Sequence, residues 1–230
     1  RNGKVYVGDK AHGGKYTPPK ILDDIKNLMT HFIDWINSKE ITSLDPFLRG
    51  ALAHYHFCLI HPFWDGNGRT ARLLEAMILQ SANIKYVPKQ LSNYYYRNVD
   101  DYYIAFSKSI KLKNDVTPFI EFMLKASVES LEDMKNSIIY FIRIFSLRDL
   151  YAFERQKKSI TKRQCELLTL LLENNIEFTL KDLLEKNPFS LLYRNVSTQT
   201  ARRDLKKLTD MKLLNTLKDN KYYLNLRVLG

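Results

Sequence analysis

The chain has 230 residues, of which 45% are apolar and 27% charged, and a formal net charge of +11. Its length and apolar content support a buried core in one large domain or two small ones, and no apolar run approaches the about 18 residues that span a membrane. The first residues lack the apolar core of a signal peptide, and the two cysteines, Cys58 and Cys165, are too few for a disulfide framework. We therefore expect reduced thiols and a cytoplasmic protein without a membrane partner.

The positive charge is concentrated near the C-terminus. Residues 158–230 contain 14 Lys and Arg against 8 Asp and Glu, whereas residues 1–135 contain 18 against 15. A basic C-terminal third favours a polyanionic partner such as DNA, although a basic surface can also be merely solvated.

The N-terminal part of the chain predicts one small hairpin followed by helices. Residues 3–19 alternate apolar and polar side chains around a Gly-Gly pair and stop at two prolines, a pattern typical of a hairpin or flap. Residues 21–37 have apolar side chains at helical spacing. The dipeptide Asp45-Pro46 predicts the start of a second helix, which must end near Pro62. Further helices are predicted from about Gly68, and at roughly 100–111, 115–135 and 136–157.

The last 73 residues predict a different pattern of elements, with shorter helices and a hairpin. Helices are predicted within residues 160–174, 179–186 and 195–214, and the alternation around Asp219 and Asn220 predicts a hairpin. Three helices and a hairpin indicate a winged helix-turn-helix. The predicted fold class is therefore mainly α: a helical core with a small β-hairpin flap in residues 1–135, a linker helix at 136–157, and a winged-helix domain at 158–230.

The loop HPFWDGNGRTAR, from His61 to Arg72, breaks the helical pattern. Glycines at 66 and 68 can adopt positive φ angles, so that backbone N–H groups turn inward as an anion-binding nest beside the next helix N-terminus. Arg69 and Arg72, three residues apart, can reach the oxygens of one ligand. The loop therefore predicts a polyphosphate site.

Two further side chains of this loop predict catalysis at the phosphates. Asp65 is a carboxylate beside the predicted phosphates, which suits Mg²⁺, a cation that takes one or two carboxylates together with phosphate oxygens. His61 has the side chain whose unperturbed pKa best suits a general base near neutral pH. The combination indicates phosphoryl or nucleotidyl transfer to a hydroxyl group.

This loop resembles the signature of the Fic (Fic/Doc) family, HPF-x-(D/E)-G-N-(G/K)-R-x-x-R, and fills every defined position. PFLRGALAHYHFCLIHPF and RLLEAMIL are similar to the helices that flank the motif, and DDYYIAF and TPFIEFML to later segments, so that the resemblance covers roughly residues 3–135. It implies a helical domain that transfers AMP from ATP to a Ser, Thr or Tyr hydroxyl of a protein target and releases pyrophosphate. Doc-like kinases have lysine where this chain has Gly68, which argues against kinase activity.

The resemblance implies a role for each residue of the loop. His61 would deprotonate the target hydroxyl, and Phe63 would anchor the loop in the core. Asp65 would hold Mg²⁺ between the α- and β-phosphates. Arg72 would bind the γ-phosphate, and the remaining phosphate contacts would come from Gly66, Asn67, Gly68 and Arg69.

Two more sites are implied by the family. Tyr102 and Tyr103 would line the adenine pocket, although aromatic side chains on a helix are as often packed in a core. The flap would align the target by strand addition, through Gly14, Lys15, Tyr16 and Thr17. The target protein is not identified by the sequence, and the chain itself is one of the targets considered.

The C-terminal domain contains a segment with the composition of a recognition helix. In residues 195–214, Ala201, Leu205 and Leu208 are predicted to pack inward. The side chains predicted to face a DNA partner are Gln199, Thr200, Arg202, Arg203 and Lys206, with Asn220 and Lys221 as the wing. The alternative is a winged helix used for protein contacts, including a homodimer, because the fold alone does not decide between them.

Two functions therefore remain open at this point: an adenylyltransferase with an appended winged helix, and a DNA-binding transcriptional regulator whose Fic-like domain senses nucleotide. The intact His61 favours the enzyme, because a sensor needs the phosphate site but not the base. The other histidines are not assigned to a site. His54 and His56 are two residues apart on a helix and diverge, and His12 and His31 have no predicted partner.

Overall fold

The computed structural model describes residues 6–228, so that residues 3–5 at the start of the predicted hairpin lie outside the described residues. The chain divides into two compact units, Arg1–Lys135 and Asn136–Gly230. Within residues 6–228, no helix combines the length and the apolar character needed to cross a lipid bilayer.

The first unit is built from helices around one apolar core. Their bounds are α1 Leu22–Ile36, α2 Lys39–Thr42, α3 Pro46–Ile60, α4 Asn67–Ser81, α5 Val87–Arg97, α6 Val99–Lys111 and the first part of α7, Thr117–Gln156. The helices predicted at 21–37, after Asp45-Pro46, near Gly68 and at 100–111 are confirmed. The short α2 and the helix α5 were not predicted.

Helix α3 lies at the centre of this unit. Its start follows the sequence signal, because the Asp45 side chain accepts a hydrogen bond from the Phe47 N–H at 2.9 Å and Pro46 occupies the first turn. Its buried side chains lie on several sides, as expected for a helix that is covered by neighbours. Helix α3 packs against α1 and α4, and the loop between α3 and α4 is the predicted site.

The prediction of two helices at 115–135 and 136–157 was wrong, because α7 is one continuous helix over these residues. Lys135, Asn136 and Ser137, at the predicted boundary, include no proline or glycine that would end a helix. The change of periodicity at this point reflects a different buried face. Phe119 and Met123 belong to the core of the first unit, whereas Leu147 and Tyr151 belong to the core of the second.

The second unit combines short helices with a small sheet. Its elements after α7 are α8 Lys162–Asn174, β1 Phe178–Thr179, α9 Leu180–Glu185, α10 Phe189–Tyr193, α11 Thr198–Asp210, β2 Leu214–Thr216 and β3 Lys221–Leu224. The strands pair antiparallel in the order β1-β3-β2, with Leu214 opposite Leu224. The three predicted helices and the hairpin are present, and β1 and α10 are additional.

A buried carboxylate fixes α11 within this unit. Asp204, only 5% exposed, accepts hydrogen bonds from Arg163 at 2.8 and 2.9 Å, from Gln164 at 2.8 Å and from the Tyr193 hydroxyl at 3.2 Å. Buried charges are tolerated when they are paired and hydrogen-bonded in this way. Asp204 therefore holds α11 against α8 and α10.

Candidate active site

His61 caps the end of α3 in a left-handed conformation. Its φ and ψ are 52° and 55°, and its N–H donates to the carbonyl of Phe57 at 2.9 Å. The following Pro62 disfavours a helical conformation at His61, so that the chain leaves the helix at this residue. The predicted base is therefore presented at the rigid end of a buried helix, where it is half-buried.

Asn67 ties the loop together from the first turn of α4. Its side chain is 3% exposed, and it accepts a hydrogen bond from the Phe63 N–H and donates one to the Phe63 carbonyl, both at 2.9 Å. The Phe63 ring, which we expected to anchor the loop in the core, is 49% exposed, and its centroid lies 6.1 Å from that of the core residue Phe57. The backbone of Phe63 is held by Asn67. Since the side-chain amide of Asn67 is engaged, its backbone N–H is the group that can reach a phosphate.

The N-terminus of α4 is preceded by Gly66, which has a φ of 89°. A residue with a Cβ is strained in this region, whereas glycine is not. Gly68 lies in the first helical turn and does not adopt the positive φ that we expected. The N–H groups of this first turn have no acceptor within the helix, and together with the helix dipole they could bind the anion that the sequence predicts here.

The two arginines fold back over these glycines. A Cβ at Gly66 would lie 3.5 Å from Arg69 Nη2, and one at Gly68 would lie 3.4 Å from Arg72 Nη1. A groove of about 370 Å³ adjoins them between α4 and α5, and the charged side chains that line it are Arg69, Arg72 and Lys89. The structure thus brings together the positive groups that the sequence predicted for phosphate binding.

Asp65 is 90% exposed in this loop. One of its carboxylate oxygens accepts from the Gly66 N–H at 2.6 Å, and the other forms an ion pair with Arg69 at 2.8 Å. Exposed ion pairs contribute little to stability, so a cation can compete for this carboxylate. Within residues 6–228, no three His, Cys, Asp or Glu side chains form a group that could hold a metal. A metal at Asp65 would therefore need the oxygens of a bound phosphate as its other ligands.

The predicted flap is a tight turn with one antiparallel bridge. Val7 and Tyr16 exchange two backbone hydrogen bonds of 2.9 Å, and the Tyr16 hydroxyl donates to the Leu59 carbonyl at 3.2 Å. Of the predicted target-binding residues, Lys15 and Thr17 are exposed, whereas Gly14 and Tyr16 are half-buried. The Tyr16 side chain thus links the flap to α3 at Leu59, two residues before His61.

The pair predicted to line an adenine pocket is divided. Tyr103 borders a small cavity of about 80 Å³ between the flap and α6, whereas Tyr102 is 8% exposed and lies in the core. The buried residues of α6 recur at helical spacing from Tyr102 through Ala105, Phe106 and Ser109, so that Tyr102 falls on the core-facing side. Only Tyr103 therefore remains available as a pocket residue.

A buried polar network beneath the loop was missed by the sequence reasoning. His54 Nδ1 on α3 lies 2.5 Å from Glu75 Oε2 on α4, and the Tyr95 hydroxyl donates to Glu75 Oε1 at 2.9 Å. His54 Nε2 lies 3.2 Å from the Tyr102 hydroxyl. The signal in the sequence was Glu75, a lone carboxylate among apolar residues on a helix that must pack against α3. The network holds together the helices on both sides of the site loop.

The pKa of His54 reflects this network. Burial lowers the pKa, but hydrogen bonds and charge interactions with Cys58 and Glu75 outweigh it and raise the pKa to about 9. His54 is therefore protonated at neutral pH and forms a buried ion pair with Glu75. As predicted, His56 diverges from His54, because its ring packs against Trp35 with centroids 4.8 Å apart.

The interpretation that His12 has no partner was wrong. His12 Nδ1 lies 2.8 Å from the carboxylate of Asp9 within the flap, and Nε2 lies 2.9 Å from that of Asp100 on α6. The hydrogen bond with Asp9 raises the pKa of His12 above its ordinary value of 6.5, and Asp100 adds to the effect. His12 thus fastens the flap to α6 beside Tyr103.

Comparison with known proteins supports the resemblance seen in the loop. Residues 3–79 match the model of the Fic/DOC family. Protein adenylyltransferase Fic of Drosophila willistoni is 38% identical over 136 residues, which are 57% of this chain and 24% of that protein. Protein adenylyltransferase fic-1 of Caenorhabditis elegans is 31% identical over 134 residues, 57% of this chain and 23% of its own. This chain therefore spans about a quarter of the length of these curated relatives.

A solved structure supports the fold over nearly the whole chain. The structural match with a Fic family protein from Desulfovibrio desulfuricans G20 covers 98% of this chain and 62% of that protein's chain, with a TM-score of 0.50 and 21% sequence identity. At this identity the likeness concerns the fold alone. It agrees with a mainly helical architecture that carries a small three-stranded sheet.

Proposed function

We propose that this protein transfers AMP from ATP to a Ser, Thr or Tyr hydroxyl of a protein target. The observation that carries the proposal is the position of His61 at the end of α3. The same loop leads through Gly66 into the N-terminus of α4, which contains Arg69 and Arg72. This arrangement would allow a base at His61 to act on a hydroxyl beside a bound polyphosphate. The matching family model and the adenylyltransferase relatives support the same activity.

The phosphates of ATP would lie at the N-terminus of α4. Backbone N–H groups of Gly66, Asn67 and Gly68 would donate to phosphate oxygens, and the dipole of the helix favours the negative charge. Arg69 borders the same groove, and Arg72 would bind the γ-phosphate. These positive groups would also stabilise the charge of the pyrophosphate that leaves.

Asp65 fits the role of a magnesium ligand. It is exposed, it lies beside the proposed phosphate site, and among residues 6–228 its charged contact is the weak ion pair with Arg69. Mg²⁺ characteristically takes one or two carboxylates and completes its shell with phosphate oxygens and water. A bound Mg²⁺ would neutralise charge on the phosphates during transfer.

His61 would act as the general base. The imidazole takes the proton of the target hydroxyl, and the hydroxyl oxygen attacks the α-phosphorus. The bond from the α-phosphorus to the oxygen that bridges to the β-phosphate breaks, and pyrophosphate leaves. The flap would hold the target segment by backbone pairing near Lys15 and Thr17, which are exposed beside the bridge at Tyr16.

The test uses ATP labelled either at the α- or at the γ-phosphate, with the chain itself and a cell lysate as targets. We expect Mg²⁺-dependent transfer of the α-label only, and His61→Ala should lower its rate about 10²–10⁴-fold while nucleotide binding persists. Asp65→Ala should weaken both binding and transfer, and His31→Ala is the matched control. Transfer of the γ-label would indicate a kinase, and unchanged labelling by His61→Ala would refute the proposed mechanism.

A second function is favoured by the surface of α11. We infer that residues 158–230 form a winged helix that binds DNA, which leaves a nucleotide-sensing regulator as the alternative to the enzyme. Ala201, Leu205 and Leu208 are buried, and the exposed side chains on this helix include Gln199, Arg202, Arg203 and Lys206.

Two other parts of the predicted surface are less free. Thr200 is half-buried, and its hydroxyl lies 3.0 Å from the hydroxyl of Ser197 at the N-cap. At the wing, Asn220 precedes β3, and Lys221 pairs with Glu177 at 3.6 Å.

DNA binding is tested with the full chain and random duplexes at low salt. We expect retardation that falls steeply with salt, because Lys and Arg contacts release counterions from the phosphates. Arg202→Ala with Arg203→Ala should weaken it without changing AMP transfer, whereas the control Lys39→Ala in the first unit should not. An absence of retardation at low salt would assign this surface to protein contacts.

A further inference from the structure

Helix α7 has an exposed apolar face within the second unit. Ile138, Phe141, Ile142 and Phe145 are 53%, 58%, 59% and 61% exposed. Their spacing of i, i+3, i+4 and i+7 places all four on one side of the helix. We call this set the α7 stripe.

The same helix is also apolar on another side. Leu147 and Tyr151 are buried in the core of the second unit, and Ile144 packs against that core. At 100° per residue these positions lie well away from the α7 stripe around the helix. A helix that is apolar on more than one side is ordinarily covered on each of them, and large contiguous apolar patches mark interaction sites.

The size of the stripe fits association with a second copy of the chain. Covering its four side chains in two copies would remove roughly 1,000 Å² of surface from water, which is about where specific protein interfaces begin. A two-fold interface uses the same patch on both copies, so one stripe is sufficient to form it.

The charges beside the stripe select the orientation of the pair. Lys135 lies seven residues before Ile142 and Asp149 seven residues after it, close to two helical turns in each direction, and both are exposed. They therefore lie on the same side of the helix as Ile142. In an antiparallel pair centred on Ile142, Lys135 of each copy meets Asp149 of the other copy. A parallel pair would place like charges opposite each other.

We propose that the α7 stripe forms an antiparallel homodimer in which the two copies of Ile142 pack together and two Lys135–Asp149 ion pairs flank them. The apolar side chains supply the driving force, because they leave water on association. The ion pairs supply the orientation, since they are satisfied in only one of the two arrangements.

Sedimentation equilibrium of the full chain tests the interface. We expect a dimer, which Ile142→Asp should convert to a monomer because it places two carboxylates at the centre of the interface. The matched control is Leu191→Asp, at a 70% exposed position of α10, which should remain dimeric. Circular dichroism checks that both variants stay folded. A monomeric parent chain, or a dimer that Ile142→Asp does not weaken, would overturn the proposal.

Charge reversal tests the orientation. Lys135→Glu and Asp149→Lys should each weaken the dimer about tenfold, because each creates two repulsive pairs at the interface. The double variant should regain most of the parent affinity, since the opposite charges meet again. If the double variant is weaker than both single variants, the antiparallel arrangement is wrong.

Discussion

His54 Nδ1 on α3 and Glu75 Oε2 on α4 lie 2.5 Å apart in the core, with the two residues 0% and 2% exposed. This ion pair joins the two helices whose connecting loop contains His61 and the proposed phosphate site. Removing one member of a buried pair leaves the other charge without compensation, which is far more costly than losing an exposed pair.

Glu75→Gln should therefore lower the free energy of unfolding by about 3 kcal/mol. The substitution keeps the size of the side chain and removes its charge. Urea denaturation followed by circular dichroism measures the effect, and Glu121→Gln at an exposed position of α7 is the control. A loss no larger than that of the control would mean that the pair contributes little.

The same pair predicts a pH dependence of stability. The pKa of His54 is raised from 6.5 to about 9 in the folded protein, so its contribution is complete below pH 6.5 and is lost as the pH rises through about 9. We expect this decline in the parent chain and a flatter profile in His54→Gln. Parallel profiles for the two proteins would contradict the assignment to His54.

Asn67→Ala should loosen the site loop. It removes two buried hydrogen bonds to the Phe63 backbone, each contributing about 1 kcal/mol, and it leaves two backbone groups without partners. We expect weaker ATP binding by calorimetry and a lower unfolding midpoint. Asn93→Ala, at an exposed position of α5, should change neither quantity. Unchanged ATP affinity in Asn67→Ala would show that the loop keeps its shape without this side chain.

Two glycine substitutions in the loop should differ. Gly66→Ala forces alanine into a φ of 89°, at a cost of about 1–2 kcal/mol, and should weaken ATP binding. Gly68→Ala is the matched control for stability, since this residue is helical and the nearest atom, Arg72 Nη1, is the end of a flexible side chain. Thermal unfolding of the two variants measures the difference. Equal losses of stability would mean that the left-handed conformation of Gly66 is not retained in solution.

The His12 contacts predict that the flap opens as the pH rises. The pKa of His12 is raised by Asp9 and Asp100, so the charged contact is present below pH 6.5 and is lost above the raised pKa. The ring of Tyr103 also lies near His12, with centroids 5.9 Å apart. Trypsin cleavage at Lys10 and Lys15 should therefore increase, relative to His12→Gln, as the pH rises above 6.5 and through the raised pKa of His12, whereas His12→Gln should be cleaved readily at low and at high pH. A constant ratio of the two rates would exclude this role for His12.

Local signals in the sequence predicted most of the helices and the site loop. Asp45 and Pro46 define the start of α3, Pro62 requires its end, and Gly66 marks the left-handed residue before α4. These features depend on the backbone preferences of single residues, which are the same in any fold. The continuous α7 was missed because a change of buried face resembles a helix end in a periodicity analysis.

The sequence by itself determined the members of the site loop, because His61, Asp65, the glycines and the arginines are neighbours in the chain. Only the tertiary structure decided which distant residues support them. For Tyr102 the sequence left a pocket and the core equally open, and the structure places it in the core. His12, for which the sequence predicts no partner, joins the flap to α6. The role of Glu75 as an ion-pair partner is visible only in the structure, where His54, 21 residues earlier in the chain, lies beside it. Contacts between residues far apart in the chain depend on how helices pack, and this packing is set by the whole core rather than by local preferences.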